Sequence, residues 1–500
     1  MISGWLKKHP LLRDVLIWTL PALIVGAVLR AILIHSSPYA FFGADSRSFM
    51  GFTNGVLTEF YFSINEKRRY LYPLFVFPLS LLPGGTLRWL AVVQAILGLL
   101  SILPIAYIIR KVFVSWRWAI VPVTVLLAGM PVFMWFEHEL IADSVFFQAM
   151  NWTLGGWVAW TCQPDRTRSR ALWWWFWVPF AILILTKPAS KLLWPAVVLG
   201  LLVAGAWHIL KWREWTALAA LFLASLTVGS DNQSSWLLYT TTFPLTRLDT
   251  PLHAEYKQEV RGLVEEKRAR IHTYTEEEKE VHDFLRSPHD SPQYPKWAAL
   301  PKDERDKMYK DLAFEGILAR PDLFLYVALQ RLAGSCNQAD FKTSRFHPNY
   351  YADRLHDQYF GPPERTMLAT VFGLPRNQPL PSYEEMRTLV MPRPGAFSTR
   401  FFLDYANAYQ APGDLFDRGP GHLTVLGWWT LLGCLLSFFP RFLKPLGVWT
   451  AGFAAYLLAV YLIGVETHRY FALVWPSILI LLALVPEMLW RLTARFLSRP

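Results

Sequence analysis

Long apolar stretches separated by short basic ones set the pattern of this chain. Runs long enough to cross roughly 30 Å of hydrocarbon fall near residues 12–34, 86–109, 119–136, 144–161, 172–186 and 191–210. Four more follow at about 215–230, 421–439, 446–463 and 470–490. The pattern predicts an all-α polytopic membrane protein of about ten transmembrane helices. The long connection at 231–420 is expected to form a large outer domain of mixed structure. Within it, Thr275 and Glu278 form a capping box ahead of a helix. Tyr309, Leu312, Ala313, Gly316 and Ile317 share one apolar helical face, which ends before Pro321. The amphipathic segment PDLFLYVALQRL is too short to span and is expected to lie at the membrane surface.

Composition agrees: 53% of the 500 residues are hydrophobic, 24 are Trp, and the mean hydropathy is +0.24. Charge then orients the spans. If Lys7, Lys8 and Arg13 are cytoplasmic, every second connection should be basic. Arg110, Lys111 and Arg117, then Arg166, Arg168 and Arg170, then Lys211 and Arg213, then Arg441 and Lys444, and finally Arg491, Arg495 and Arg499 meet that rule. Both termini are therefore expected inside. Residues 231–420 hold 24 basic against 27 acidic side chains, so the net +11 belongs to the membrane parts. It is a topology signal, which argues against nucleic acid as a partner. The first apolar stretch has no small-residue cleavage site before Asp45 and is expected to stay as a signal anchor. Cys162, Cys336 and Cys434 are too dispersed for a disulfide framework.

Charged side chains near a hydrocarbon boundary cost a few kcal/mol, yet several gather at the expected outer ends of spans. They are Asp45 with Arg47, Arg68 with Arg69, the run Glu137, His138, Glu139 and Asp143, then Lys187 with Lys191, and Glu466, His468 and Arg469. Carboxylates beside cations suit transfer from a lipid phosphate: the carboxylate accepts the acceptor's proton and the cations hold the leaving phosphate. A transporter or flippase of lipid-linked sugar would instead show paired repeats or broken spans with charges at the midplane. No Gly-rich phosphate loop is visible. Glu137, His138 and Glu139 form a run on one turn that cannot direct every side chain at a divalent ion, so no metal or other cofactor is expected. His347 and His356 read as ordinary loop histidines, and Trp173, Trp174 and Trp175 as part of an interfacial belt.

Four segments resemble the GT-C superfamily of integral-membrane glycosyltransferases, in particular the polyprenyl-phosphate-sugar enzymes related to protein O-mannosyltransferases, lipid A aminoarabinose transferases and rhizobial galacturonosyltransferases. RRYLYPLF is similar to the family's RPPLYPLL, with Arg68, Tyr72 and Pro73 matching and Arg69 and Tyr70 in place of two prolines. In PVFMWFEHELIADSVFF, Asp143 matches the family's span-opening Asp, while Glu137 and His138 depart from its Ser-Arg. LTKPASKLLWP matches at Lys187, and HRYFALVWP at Arg469 and Tyr470. The resemblance covers the membrane half and implies a GT-C-like bundle in residues 1–230 with a catalytic first outer loop at 35–85, a periplasmic domain at 231–420, and C-terminal spans at 421–500. It implies transfer of a hexosyl or pentosyl group from a polyprenyl-phosphate donor to an envelope glycan, lipid or protein, in an inner membrane.

Through the resemblance Asp45 inherits the role of base, and Arg68, Arg469 and Lys187 that of donor-phosphate ligands. Arg69, Tyr72, Glu137, His138, His468 and Tyr470 are candidates for substrate contact. The bland reading of Asp45 is a helix N-cap, and that of the basic side chains is snorkelling. Asp143 has two equal readings, catalytic carboxylate or N-cap. A lipopolysaccharide ligase or glycan polymerase remains as another reading, one expected to rely on outer arginines and a histidine without a first-loop carboxylate. Topology is checked with a membrane-impermeant thiol reagent on intact cells: Cys336 should react and Cys162 should not, and the reverse labelling overturns the orientation.

Overall fold

The computed structural model describes residues 10–41, 71–113, 117–162, 170–187, 210–227, 242–271, 299–327, 431–438, 443–463 and 475–497, with a few single positions between them. Helices α1 (Pro10–Ser36), α2 (Leu71–Val76) and α3 (Thr86–Val112) open the chain, followed by α4 (Ile120–Gly129), α5 (Pro131–Glu137), α6 (Ala142–Thr161), α7 (Arg170–Thr186) and α8 (Trp212–Thr227). After them come α9 (Ala254–Arg270), α10 (Lys302–Ala319), α11 (Lys444–Ile463) and α12 (Trp475–Leu497). Eight of the ten apolar stretches thus carry a named helix. Stretch 191–210 lies almost wholly outside the described residues, and 421–439 is described only at 431–438, where it is helical.

Among the described residues, α1, α3 and the Trp475–Ala494 part of α12 are each long and apolar enough to cross a membrane. Helices α4 and α5 would make a fourth crossing, bent by 51° at their break. Pro131 is the cause: it brings no N–H to the ladder and sets Met130 extended. Between α2 and α3 the chain runs through a 3₁₀ turn and then Gly84 and Gly85, at φ 91° and 85°, where a side chain would be strained.

The chain divides into two compact units. The first comprises Met1–Gly229, Ala339–Phe453 and Ala472–Pro500; the second, Ser230–Gln338 and Ala454–Phe471. In the first, α1 packs on α4 and α3, and α6 lies between α3 and α7. Glycines let these helices approach: a Cβ on Gly155 would meet Pro104 at 2.4 Å, and one on Gly156 the Trp175 carbonyl at 2.7 Å. At one end of this unit Asp14 accepts from Arg110 at 2.9 Å and lies 3.9 Å from Arg117, while Arg491 donates to the Val112 carbonyl at 3.1 Å. Among the described residues, Cys162 and Cys434 form no disulfide.

The described part of the second unit is helical. Tyr309, Leu312 and Ala313 of α10 are buried against Tyr256, Val260 and Val264 of α9, as the apolar face predicts, and α10 ends at Ala319 ahead of Pro321. In the described part of the segment after it, Leu323 and Val327 pack on Leu245 and Ile271, while Leu325 is 47% exposed. Thr275, Glu278, Cys336, His347 and His356 lie outside the described residues.

Gly98 of α3 faces Glu137, and a Cβ there would sit 2.0 Å from Oε1. Gly98→Ala should therefore cost about 1–3 kcal/mol. Gly262→Ala on α9, with nothing within 4 Å of the new methyl, should stabilise by about 0.5–1 kcal/mol. Thermal unfolding in detergent measures both; equal melting temperatures for Gly98→Ala and the parent would refute the close packing.

Candidate active site

The turn between α5 and α6 is buried, and its backbone polar groups must find partners inside the protein. Helix α5 closes with the His138 N–H on the Met134 carbonyl at 3.0 Å, and the chain then bends through Glu139 and Leu140 to the extended Ile141. Here it meets the residues after α1. The Phe41 N–H donates to the His138 carbonyl at 2.5 Å, the Leu140 N–H to the Phe41 carbonyl at 2.9 Å, and the pair forms a parallel bridge between Phe41 and Glu139. Ser46 Oγ adds a bond to the Leu140 carbonyl at 2.8 Å. Beneath the turn, Gln94 Nε2 of α3 donates to the carbonyls of Glu137 and Glu139 at 2.8 and 2.9 Å.

Gln94 is itself held from two sides. Tyr72 of α2, fully buried, donates its hydroxyl proton to Gln94 Oε1 at 3.1 Å, and Gln148 of α6 donates to the Gln94 carbonyl and to Ser144 Oγ. Phe49 packs edge-on against Tyr72 with ring centroids 4.9 Å apart. Described positions on either side of Asp45 thus meet the turn and the RRYLYPLF segment: Phe41 and Ser46 contact the turn, and Phe49 contacts Tyr72.

Asp143 is the second residue of α6, and Lys187 directly follows α7. Their side chains form an ion pair, with Asp143 1% and Lys187 11% exposed. The ammonium also lies 5.6 Å from the centre of the Phe146 ring. Ile141, extended and without a side-chain capping bond, occupies the N-cap position, so Asp143 does not cap the helix. Oδ1 receives Lys187, while Oδ2 is buried with no hydrogen-bond partner among the described residues. A carboxylate with one oxygen anchored and one unused can accept a proton, and the adjoining ammonium can hold an anion.

Of the residues singled out in the sequence, the structure brings Asp143, Lys187, Tyr72, Glu137 and His138 to this one end of the first unit. Glu137 faces inward: both its oxygens bind Arg30 of α1, at 2.6 and 2.7 Å. His138 is buried and lies edge-on to Phe41, with ring centroids 4.7 Å apart. Asp45, Arg68, Arg69, Arg469, His468 and Tyr470 lie outside the described residues. Among those described, no group of three His, Cys, Asp or Glu is placed to hold a metal ion. Sequence reasoning missed Arg30, Gln94 and Gln148. The signal for Arg30 was available, since a lone arginine inside an apolar span requires a partner.

A small polar cavity and an apolar groove lie in the same unit. A cavity of about 20 Å³, large enough for one water, is lined by Arg30, Ser101, Glu137, Ser144, Gln148 and Asn151 among others. A groove of about 340 Å³ runs along α7, from Trp173, Trp174 and Trp177 to Leu185, two residues before Lys187, with Leu71 and Leu221 opposite.

No family model and no curated protein matches the chain. Among solved structures it is similar to the crystal structure of ArnT from Cupriavidus metallidurans bound to undecaprenyl phosphate, with 12% identity and a TM-score of 0.33, covering 95% of this chain and 78% of that one. The apo structure of the same protein matches at 13% identity and a TM-score of 0.32, covering 97% and 77%.

Breaking one partner of a buried pair costs more than removing both, because a lone charge is left behind. Asp143→Asn and Lys187→Met should each destabilise by about 3 kcal/mol. The double variant should lose less than the sum of the two. Additive losses in a double-mutant cycle of unfolding energies would rule out the ion pair.

Proposed function

We propose that the protein is a polytopic membrane glycosyltransferase, moving a sugar from a polyprenyl-phosphate carrier to an envelope glycan, lipid or protein acceptor at the outer face. The observation that carries this reading is the buried Asp143–Lys187 pair, placed beside a turn that also binds Ser46, the residue after Asp45. The four GT-C-like segments support it independently, because three of them, holding Tyr72, Asp143 and Lys187, come together at one end of the bundle.

In the proposed reaction Asp45 takes the proton from the acceptor hydroxyl, and the acceptor oxygen attacks the anomeric carbon. The bond from that carbon to the phosphate oxygen breaks, and the polyprenyl phosphate leaves with the bonding electron pair. Arg68, Arg469 and Lys187 hold its charge, each as a charge-assisted contact. The Trp-lined groove along α7 offers an apolar path that ends two residues from Lys187, suited to the carrier's hydrocarbon tail. Gathering of Arg13, Arg110, Arg117 and Arg491 at a single end supports cytoplasmic termini and an outward-facing site.

A general base contributes roughly 10²- to 10⁴-fold to rate. Asp45→Asn should therefore bind the polyprenyl-phosphate sugar yet transfer very little of it in nanodiscs, while Arg68→Ala and Arg469→Ala should weaken donor use, with Lys at either position rescuing only in part. Parental turnover by the Asn variant would remove Asp45 from the chemistry. Translocation of the lipid-linked sugar by the parent, without transfer, would favour a flippase.

A further inference from the structure

Arg30 lies in the last third of α1, 4% exposed, and all three guanidinium nitrogens form hydrogen bonds. Nε and one Nη clasp the two oxygens of Glu137 at 2.6 and 2.7 Å, in the fork geometry that only arginine offers a carboxylate. The other Nη donates to the Gly26 carbonyl at 3.2 Å and to the Ala128 carbonyl at 2.8 Å. Ala128 stands just before the break between α4 and α5. Its helical partner would be the N–H four residues on, and the 51° bend at Pro131 takes the chain off that path. One side chain therefore ties α1 to both sides of the break. On the far side of Glu137, Gly98 leaves room for the carboxylate and nothing larger.

Helix α5 is only seven residues long and leads straight into the turn that carries Asp143. Its direction decides where that turn lies, and the Arg30 fork sets the direction. We infer that Arg30 is a positioning residue: by clasping Glu137 and the Ala128 carbonyl it fixes the bent α4–α5 segment and thereby the Asp143–Lys187 pair. The inference rests on the proposed role of that pair in transfer, and it assigns Glu137 to this support and away from the substrate.

The test uses full-length protein in nanodiscs and two variants. Arg30→Lys keeps the charge without the fork. The double variant Arg30→Gln with Glu137→Gln removes both charges, so no lone buried ion remains. Two readings are taken on each: transfer kinetics, and the rate at which Lys187 is modified by a small amine-reactive reagent, followed by mass spectrometry. A displacement of about 1 Å is worth on the order of 10²-fold in rate. The double variant should therefore lose kcat by roughly 10- to 100-fold with KM for the donor little changed, and Lys187 should be modified several-fold faster than in the parent. Arg30→Lys should fall between the two.

Parental kcat together with parental Lys187 protection in the folded double variant would overturn the inference. So would failure of both variants to accumulate as folded protein, which would make Arg30 a requirement of the fold and nothing more. If the parent itself transfers no sugar while Lys187 modification still rises in the variants, the positioning role stands and the proposed function falls.

Discussion

A span that bends in hydrocarbon exposes carbonyls that water cannot reach, and each one left bare costs several kcal/mol. The break between α4 and α5 creates that problem, and Arg30 answers it from the neighbouring helix. Its bond to the Ala128 carbonyl closes the break, and its fork onto Glu137 turns a costly buried cation into a neutral pair. The turn that carries Asp143 depends on this contact, because α5 is too short to hold a direction by itself.

Beyond α5 the same logic recurs with neutral groups. The turn from His138 to Asp143 has no helix to satisfy it, so it borrows partners: Phe41 backbone, Ser46 hydroxyl and the Gln94 amide. Gln94 is suited to this because one amide carries two donors and an acceptor, and all are used, two carbonyls below the turn and the Tyr72 hydroxyl on the other side. The tyrosine of the RRYLYPLF segment thus supports the carboxylate-bearing turn indirectly, through glutamine. Hydrogen bonds of this kind are stronger in a low-dielectric setting than in water, so the backbone of the turn is held firmly.

The helices were legible because apolar length is a local property, and α1, α3, α6 and α7 fall where the hydropathy pattern puts them. The apolar face of α10 was legible for the same reason: Tyr309, Leu312 and Ala313 repeat with the helical period and are buried together. Asp143 and Lys187 could be named separately, and their meeting across 44 residues could only be guessed from the span ends. Glu137 illustrates the limit. Sequence alone placed it in a run of polar residues at an outer boundary, where a structural or solvated role is favoured over substrate contact but no partner can be named. Its partner sits 107 residues earlier inside an apolar stretch, and only packing joins them. The bridge between Phe41 and Glu139 is equally non-local, with no strand pattern on either side to announce it.

That separation of 107 residues between Arg30 and Glu137 also has a meaning in time. At about 5–20 residues per second, a nascent chain makes Arg30 about 5–20 s before its carboxylate exists. Asp14 waits nearly as long for Arg110, 96 residues on. During that interval Arg30 stands in the first span without the carboxylate that later neutralises it, so the span is poorly suited to being released into lipid alone. Insertion of this protein is therefore expected to be a delayed and collective event, in which the opening helix is retained beside the membrane-insertion machinery until α3 and the α4–α5 pair arrive to complete it.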